Sequence, residues 1–111
     1  MSPREWAERI RDILDAIAEI EAFTQGMDFG AFSADTKTLR AVELNLIVIG
    51  EAANRIPGEI EELHPQIPWP LMRAIRNRLV HVYFSVDERL LWATIQYDLP
   101  ALASALKPLM S

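Results

Sequence analysis

Apolar residues recur every three or four positions from Trp6 to Phe23, with charged residues between them. This spacing places the apolar side chains on one face of a helix. Ser2 and Glu5 have the spacing of a capping box at its start, and Pro3 suits the first helical position. The glycine-containing segment TQGMDFGAFSAD then breaks the pattern, so we expect the first helix to end there.

A second apolar pattern runs from about Asp35 into the fifties. Its stretch LNLIVIGEAAN is apolar on nearly all sides, which predicts the most buried helix of the chain. Gly50 lies inside this stretch, and glycine is costly in the middle of a helix. We therefore expect a close helix–helix contact at Gly50. Pro57 and Gly58 bend or end the helix, and a short extra helical piece is predicted near residues 58–64.

The third helix is predicted to start near residues 68–70, after a connector that contains three prolines. It carries apolar residues at helical spacing and is expected to end near Phe84. The segment VHVYFSV alternates over a few residues, as a strand would. A single strand would have no partner, however, so a helix is favoured there as well.

A fourth helix follows, and Ser85 and Glu88 suggest a second capping box at its start. Pro100 is expected to kink it. Four helices with short connections predict an all-α, up-and-down four-helix bundle. The length of 111 residues suits one domain over residues 1–111.

The charge is uneven along the chain. The net charge is −5, which argues against a general nucleic-acid binder, yet residues 65–86 contain three arginines and no carboxylate. There is no cysteine, which excludes disulfides and thiolate metal sites. The N-terminus lacks the pattern of a secretory signal, and no apolar stretch is long enough for a membrane span. We therefore expect a cytoplasmic protein without a membrane association.

The basic segment AIRNRLVHVYFSVD combines Arg73, Arg76 and Arg78 with His81 and Tyr83. Histidine titrates near neutral pH and can act as a base or an acid, and the planar guanidinium matches phosphate oxygens. These are the groups that RNA phosphodiester cleavage needs. A simpler interpretation is that the arginines pair with the many carboxylates of the first and second helices, while His81 and Tyr83 cap a helix and fill an edge of the core.

Arg76 and His81 lie five residues apart, so on a helix they are separated by ~140° and by ~7.5 Å of rise. They cannot share one narrow face. They could line a wide cleft or face a second copy of the helix, and two copies would supply both proton transfers. Asn77, Arg78 and His81 cluster better. The spacing of the histidines and carboxylates matches no metal site, and no cofactor is expected.

Within that segment, RNRLVHVY matches the motif R-x4-H-x-Y. The blocks LIVIGEAANRIP and HPQIPW precede this motif, and the block LWATIQYDLPALASAL follows it. Over about residues 35–106 the chain thereby resembles the HepT-like toxins of the HEPN superfamily. One departure is Ala74-Ile75, where that family is expected to have Gly-Met. This change is expected to affect packing rather than chemistry.

The resemblance implies a helical HEPN bundle that forms a homodimer and acts as a metal-independent endoribonuclease on RNA. Arg76 and His81 would be the catalytic residues, with Asn77 and Arg78 in support. The partner would be a nucleotidyltransferase antitoxin, which blocks such toxins by transferring AMP to the motif tyrosine, here Tyr83. An alternative is a non-catalytic nucleotide-binding partner and modification substrate of that nucleotidyltransferase, and another is a purely structural helical dimer.

Overall fold

The computed structural model describes residues 2–85 and 87–110, apart from the side chains of residue 3 and of residues 78–85. This part of the chain is helical and contains no strand, so the all-α prediction is confirmed. The helices are α1 Pro3–Thr24, α2 Phe29–Ala34, α3 Thr36–Asn54, α4 Gly58–Leu63, α5 Trp69–Ser85, α6 Glu88–Ala93 and α7 Leu99–Leu106. A π-helical segment, Thr94–Asp98, joins α6 to α7, and a 3-10 turn, Lys107–Met110, follows α7.

Helix α1 begins at the capping box that the sequence predicted. The backbone N–H of Glu5 donates to the Ser2 hydroxyl oxygen at 3.3 Å, and the Ser2 N–H donates to the Glu5 carboxylate at 3.2 Å. These two reciprocal hydrogen bonds are those of a capping box, which satisfies backbone donors at the helix start. The helix ends at Thr24, and Gly26 follows with a φ of +77°, in the left-handed region where a side chain would be strained.

Helix α2 was not predicted from the sequence. Asp28 caps it, because its carboxylate accepts from the Ala31 N–H at 2.8 Å. Phe32 is fully buried and packs at 4.9 Å, centroid to centroid, against the ring of Trp92 in α6. The segment TQGMDFGAFSAD is therefore a turn followed by one short helix that packs against α3 and α6.

Asp35 fixes the start of α3. The backbone N–H of Thr38 donates to the Asp35 carboxylate at 3.1 Å, and this hydrogen bond lowers the pKa of Asp35. The helix supplies nine buried residues, as its apolar sequence predicted. Its burial is nevertheless one-sided, because Leu44, Ile47 and Val48 remain 63%, 43% and 37% exposed.

Four helical rods form the bundle: α1, α3, α5 and the combined α6–π–α7 rod. Each packs against the next along the chain, and the last closes on α1, as an up-and-down bundle requires. The core between them is apolar, and its fully buried large side chains include Ile10, Ile13, Ile17, Ile20, Leu46, Ile49, Met72, Ile75, Leu91, Leu99, Leu102 and Leu106. None of the described helices has the length and apolarity needed to cross a membrane.

The start of the fourth rod differs from the prediction. The capping box expected at Ser85 and Glu88 is wrong, because α5 continues through Ser85 and α6 begins at Glu88. Asp87 is the N-cap, and its carboxylate accepts from the Leu90 N–H at 3.1 Å. A carboxylate directly before the first helical residue therefore takes the capping position that the serine two residues earlier could have taken.

The irregularity expected at Pro100 lies one turn earlier. In the π segment the Leu99 N–H bonds to the Thr94 carbonyl, five residues back. In a regular α-helix, Leu91 and Leu99 would differ by ~80° around the axis. The wider π turn holds more residues, so Leu91, Ile95 and Leu99 all stay within the core.

Candidate active site

Helix α5 carries the basic segment, and its start is held in place by Trp69. The indole N–H of Trp69 donates to the backbone carbonyl of His64 at 3.0 Å, and the ring is buried. Met72 and Ile75, about one and two turns further on, are fully buried. The Ile75 that replaces the expected methionine thus belongs to the core, and the buried side of α5 determines which of its residues reach the surface.

Arg73 and Arg76 are one turn apart on α5 and each pairs with a glutamate of a different helix. Arg73 forms an ion pair with Glu61 of α4. Arg76 forms one with Glu51 of α3, with 2.9 Å between Nη1 and Oε1. The interpretation that the arginines pair with carboxylates is therefore correct for these two. Glu51 lies on α3, which is the second predicted helix, and Glu61 lies on α4, its predicted short extension.

The stem of Arg76 lies against Gly50. A Cβ placed on Gly50 would be 2.9 Å from Cβ of Arg76, 3.5 Å from its Cγ and 3.6 Å from its Cδ. A real side chain at residue 50 would therefore collide with the arginine stem. The close helix–helix contact predicted from the glycine is confirmed, and it is the contact between α3 and α5 beside the candidate catalytic arginine.

The head of Arg76 is accessible. Its side chain is 52% exposed and that of Glu51 is 46% exposed, so the guanidinium can meet a ligand from solvent. Asn77 is exposed beside it. Arg78, His81 and Tyr83 lie in α5, but their side chains are outside the described residues. The structure therefore gives the surroundings of Arg76 and Asn77, whereas the roles predicted for all five residues stay predictions.

An exposed apolar face of α3 adjoins Glu51. We call it the α3 stripe, and it consists of Leu44, Ile47 and Val48. Glu51 continues the same helical face at the i+3 and i+4 spacing. A shallow groove of about 300 Å³ between α1 and α3 connects the stripe to the ion pair, and it is lined by Arg9, Asp12, Ile47, Val48, Glu51, Ala52 and Arg55.

Two features of this region were missed by sequence reasoning. The first is Glu51, the partner of Arg76, although a single carboxylate after Gly50 in an otherwise apolar stretch was a detectable sign. The second is the exposure of the α3 stripe, which the apolar sequence does not distinguish from burial. Among the side chains that the structure describes, no three histidine, aspartate or glutamate residues come together as metal ligands would.

The fold is an all-α bundle, and its third rod carries the motif R-x4-H-x-Y. The arginine of that motif is exposed where two helices cross. These features are those of a HEPN-type helical domain. A model of the family described as "Ribonuclease HepT-like" matches residues 13–109. The chain belongs to the HepT-like ribonuclease family.

Individual relatives agree with this assignment. A protein of Thermococcus cleftensis named "Probable ribonuclease HepT" is 44% identical over 99 residues, which cover 89% of this chain and 90% of the relative. A provisionally named RNase of Methanocaldococcus jannaschii is 37% identical, over 80% of this chain and 74% of its own length. Another, of Caldanaerobacter subterraneus, is 32% identical, over 98% of this chain and 95% of its own length. No solved structure gives a significant match.

Proposed function

We propose that this protein is a metal-independent endoribonuclease toxin whose active site forms across a homodimer. The observation that carries the proposal is the position of Arg76, whose half-exposed guanidinium lies at a helix crossing beside an exposed apolar face. Membership of a ribonuclease family supports RNA as the substrate. Arg76 and His81 are the proposed catalytic residues, with Asn77 and Arg78 in support.

The proposed reaction is attack of the RNA 2′-hydroxyl on the neighbouring phosphorus. His81 of one protomer removes the 2′-hydroxyl proton while that of the other protonates the leaving 5′ oxygen. The P–O5′ bond breaks as the new P–O2′ bond forms, so this step consumes no water. In this proposal the protein side chains take the place of a metal ion. Arg76 donates to the phosphorane oxygens as their negative charge develops.

The α3 stripe supports the homodimer part of the proposal. Leu44, Ile47 and Val48 are exposed in the isolated chain and lie one helical turn or two from Glu51, which pairs with Arg76. Contiguous exposed apolar faces commonly mark interaction sites. Contact of this stripe with its own copy would bring both Arg76 residues towards one two-fold axis, as a shared site requires.

The antitoxin proposed for this toxin is a nucleotidyltransferase that transfers AMP to Tyr83 in the cytoplasm. An AMP group on the hydroxyl of Tyr83 adds a phosphate to the motif that contains Arg76 and Arg78. That phosphate would occupy donors that RNA otherwise uses. This part of the proposal rests on the resemblance to HepT-like toxins, in which the motif tyrosine is the residue that receives AMP, and Tyr83 occupies that position here.

The deciding experiment measures cleavage of RNA by the purified protein in excess chelator, next to the His81→Gln variant. We expect the wild-type protein to cleave and the variant to be inactive, with equal circular dichroism and Tm. Full activity of a folded His81→Gln protein would refute the assignment of His81. A wild-type protein that accepts AMP on Tyr83 but never cleaves RNA would instead establish the non-catalytic nucleotide-binding partner.

A further inference from the structure

We infer that Glu51 is a positioning residue that holds the guanidinium of Arg76 in place for the RNA phosphate. Glu51 was assigned no role by the sequence motif, because it lies on α3 and 25 residues before Arg76. The inference rests on the proposed function, since it concerns how the arginine of that site is oriented. Three features of the structure carry it: the Gly50 contact, the ion pair and its exposure.

The first feature fixes the stem of the arginine. Cβ, Cγ and Cδ of Arg76 all pass within 3.6 Å of the point where a Gly50 side chain would begin. Gly50 therefore leaves a slot on α3 that the arginine stem fills. An arginine side chain free in solvent loses much rotamer entropy when it binds a ligand, and a stem that is already packed loses less.

The second feature fixes the head of the arginine. Oε1 of Glu51 is 2.9 Å from Nη1 of Arg76, so the two charged groups form a close ion pair. A guanidinium has five N–H donors, so a contact at Nη1 leaves others for phosphate oxygens. Gly50 and Glu51 are consecutive residues, so the stem and the head are held by one turn of α3.

The third feature is exposure. Both side chains are about half exposed, at 52% and 46%. Exposed ion pairs of this kind contribute little to stability, because solvent screens them and their side chains lose entropy. The pair is therefore poorly explained as a device that holds α3 to α5, a task that buried Ile49 and Ile75 perform through the core. The ion pair can, however, orient the accessible guanidinium of Arg76.

Glu51 could also have the opposite effect and weaken RNA binding, and the experiment must distinguish the two effects. A carboxylate beside an arginine repels phosphate, so Glu51 could compete with RNA instead of preparing its site. Removal of a competitor lowers KM and raises kcat/KM. Removal of a positioning residue lowers kcat, since a displaced donor cannot follow the charge of the transition state.

The experiment compares steady-state RNA cleavage by Glu51→Ala and Glu51→Gln with that of Glu61→Ala. Glu61 is the matched control, because it pairs with Arg73 one turn earlier on the same helix α5. We expect Glu51→Ala to lower kcat by roughly 10- to 100-fold with less than about a threefold change in KM. Glu51→Gln, which keeps an acceptor oxygen, is expected to retain more activity, and Glu61→Ala to stay close to wild type.

A double-mutant cycle shows whether Glu51 acts through Arg76. In an Arg76→Lys background, Glu51→Ala should cost little further activity, whereas independent roles would make the two losses multiply. A second readout needs no catalysis: ¹⁵N NMR of the Arg76 guanidinium should show slow rotation in the wild type and averaged signals in Glu51→Ala. Titration with a cleavage-resistant 2′-O-methyl RNA should then shift the Arg76 signals less in the variant.

The outcomes separate this inference from the proposed function. A wild-type protein without cleavage activity would refute the function, and the NMR comparison would still decide whether Glu51 orders Arg76 for phosphate. Cleavage by Glu51→Ala at or above the wild-type rate would overturn the positioning role. Averaged Arg76 signals in both proteins would overturn it as well.

Discussion

Gly50 and Arg76 meet where α3 crosses α5, and a methyl group on Gly50 would lie 2.9 Å from Cβ of the arginine. The atom that would be struck is at the base of the arginine side chain, so it cannot swing aside as the tip of a flexible side chain could. Any larger residue at position 50 must push the two helices apart. The glycine therefore sets both the spacing of the helices and the path of the Arg76 stem.

Gly50→Ala should destabilise the protein, and Gly58→Ala is its control. Overpacking at the crossing is expected to lower the free energy of unfolding by about 1–3 kcal/mol. At Gly58 a Cβ meets nothing within 4 Å, so alanine there should be neutral or should stabilise by about 0.4–1 kcal/mol. Urea denaturation checks both values, and equal effects at the two glycines would contradict the steric explanation.

Arg76→Lys should cost far more activity than Arg73→Lys. Lysine keeps the positive charge but lacks the planar arrangement of donors that matches a phosphate and a carboxylate together. We expect a loss on the order of 100-fold in kcat for Arg76→Lys, the scale of removing one transition-state donor. RNA cleavage assays with both variants provide the measurement. Similar, mild losses at both positions would mean that only the charge of the segment matters.

Ile47→Glu should dissociate the proposed homodimer. It would place two carboxylates in an apolar interface around a two-fold axis, so the dimer Kd should rise at least about 100-fold. The control is Tyr97→Glu, because Tyr97 is 76% exposed on the rod that lies diagonally across the bundle from α3. Light scattering after size-exclusion chromatography distinguishes the two. A dimer that persists in Ile47→Glu would exclude the α3 stripe as its interface.

Tyr83→Phe should retain much of the RNA cleavage but escape the antitoxin. The phenol has a reference pKa near ~10, poorly matched to proton transfer at neutral pH, so its loss should leave the reaction largely intact. Mass spectrometry of the protein co-expressed with the nucleotidyltransferase should show additions in steps of AMP, absent in the variant. Silenced wild-type protein with an unmodified Tyr83 would show that neutralisation occurs by binding alone.

The sequence predicted those features of the fold that depend on local chemistry. The sequence correctly predicted the capping box of α1, the end of α3 before Pro57 and the start of α5 between Pro68 and Pro70. All three follow from residues that satisfy or withhold backbone hydrogen bonds. The glycine at position 50 also predicted its own close contact correctly. These inferences need only neighbouring residues and the helical period.

Features that depend on two distant segments were not predictable in the same way. Glu51 is recognisable in the sequence as a single carboxylate in an apolar stretch, but its pairing with Arg76 is not, because that pairing depends on how α3 and α5 cross. The sequence also does not show which side of α3 is exposed, because apolar residues that face the core and those that face the surface look alike in it. At Asp87 the competition was local, and a carboxylate adjacent to the helix displaced Ser85 as the cap.

Because of the π segment before Pro100, the effect of deleting Tyr97 depends on whether residue 100 is a proline. Pro100 has no N–H for the Gln96 carbonyl, and in a regular α-helix its ring would crowd that carbonyl at a cost of about 3 kcal/mol. Deletion of the exposed Tyr97 would convert the π turn to an α turn and incur that cost. The same deletion should be tolerated once Pro100 is alanine. Tyr97 and Pro100 therefore form an epistatic pair. Loss of Tyr97 is costly while Pro100 is present and is tolerated once the proline has been replaced.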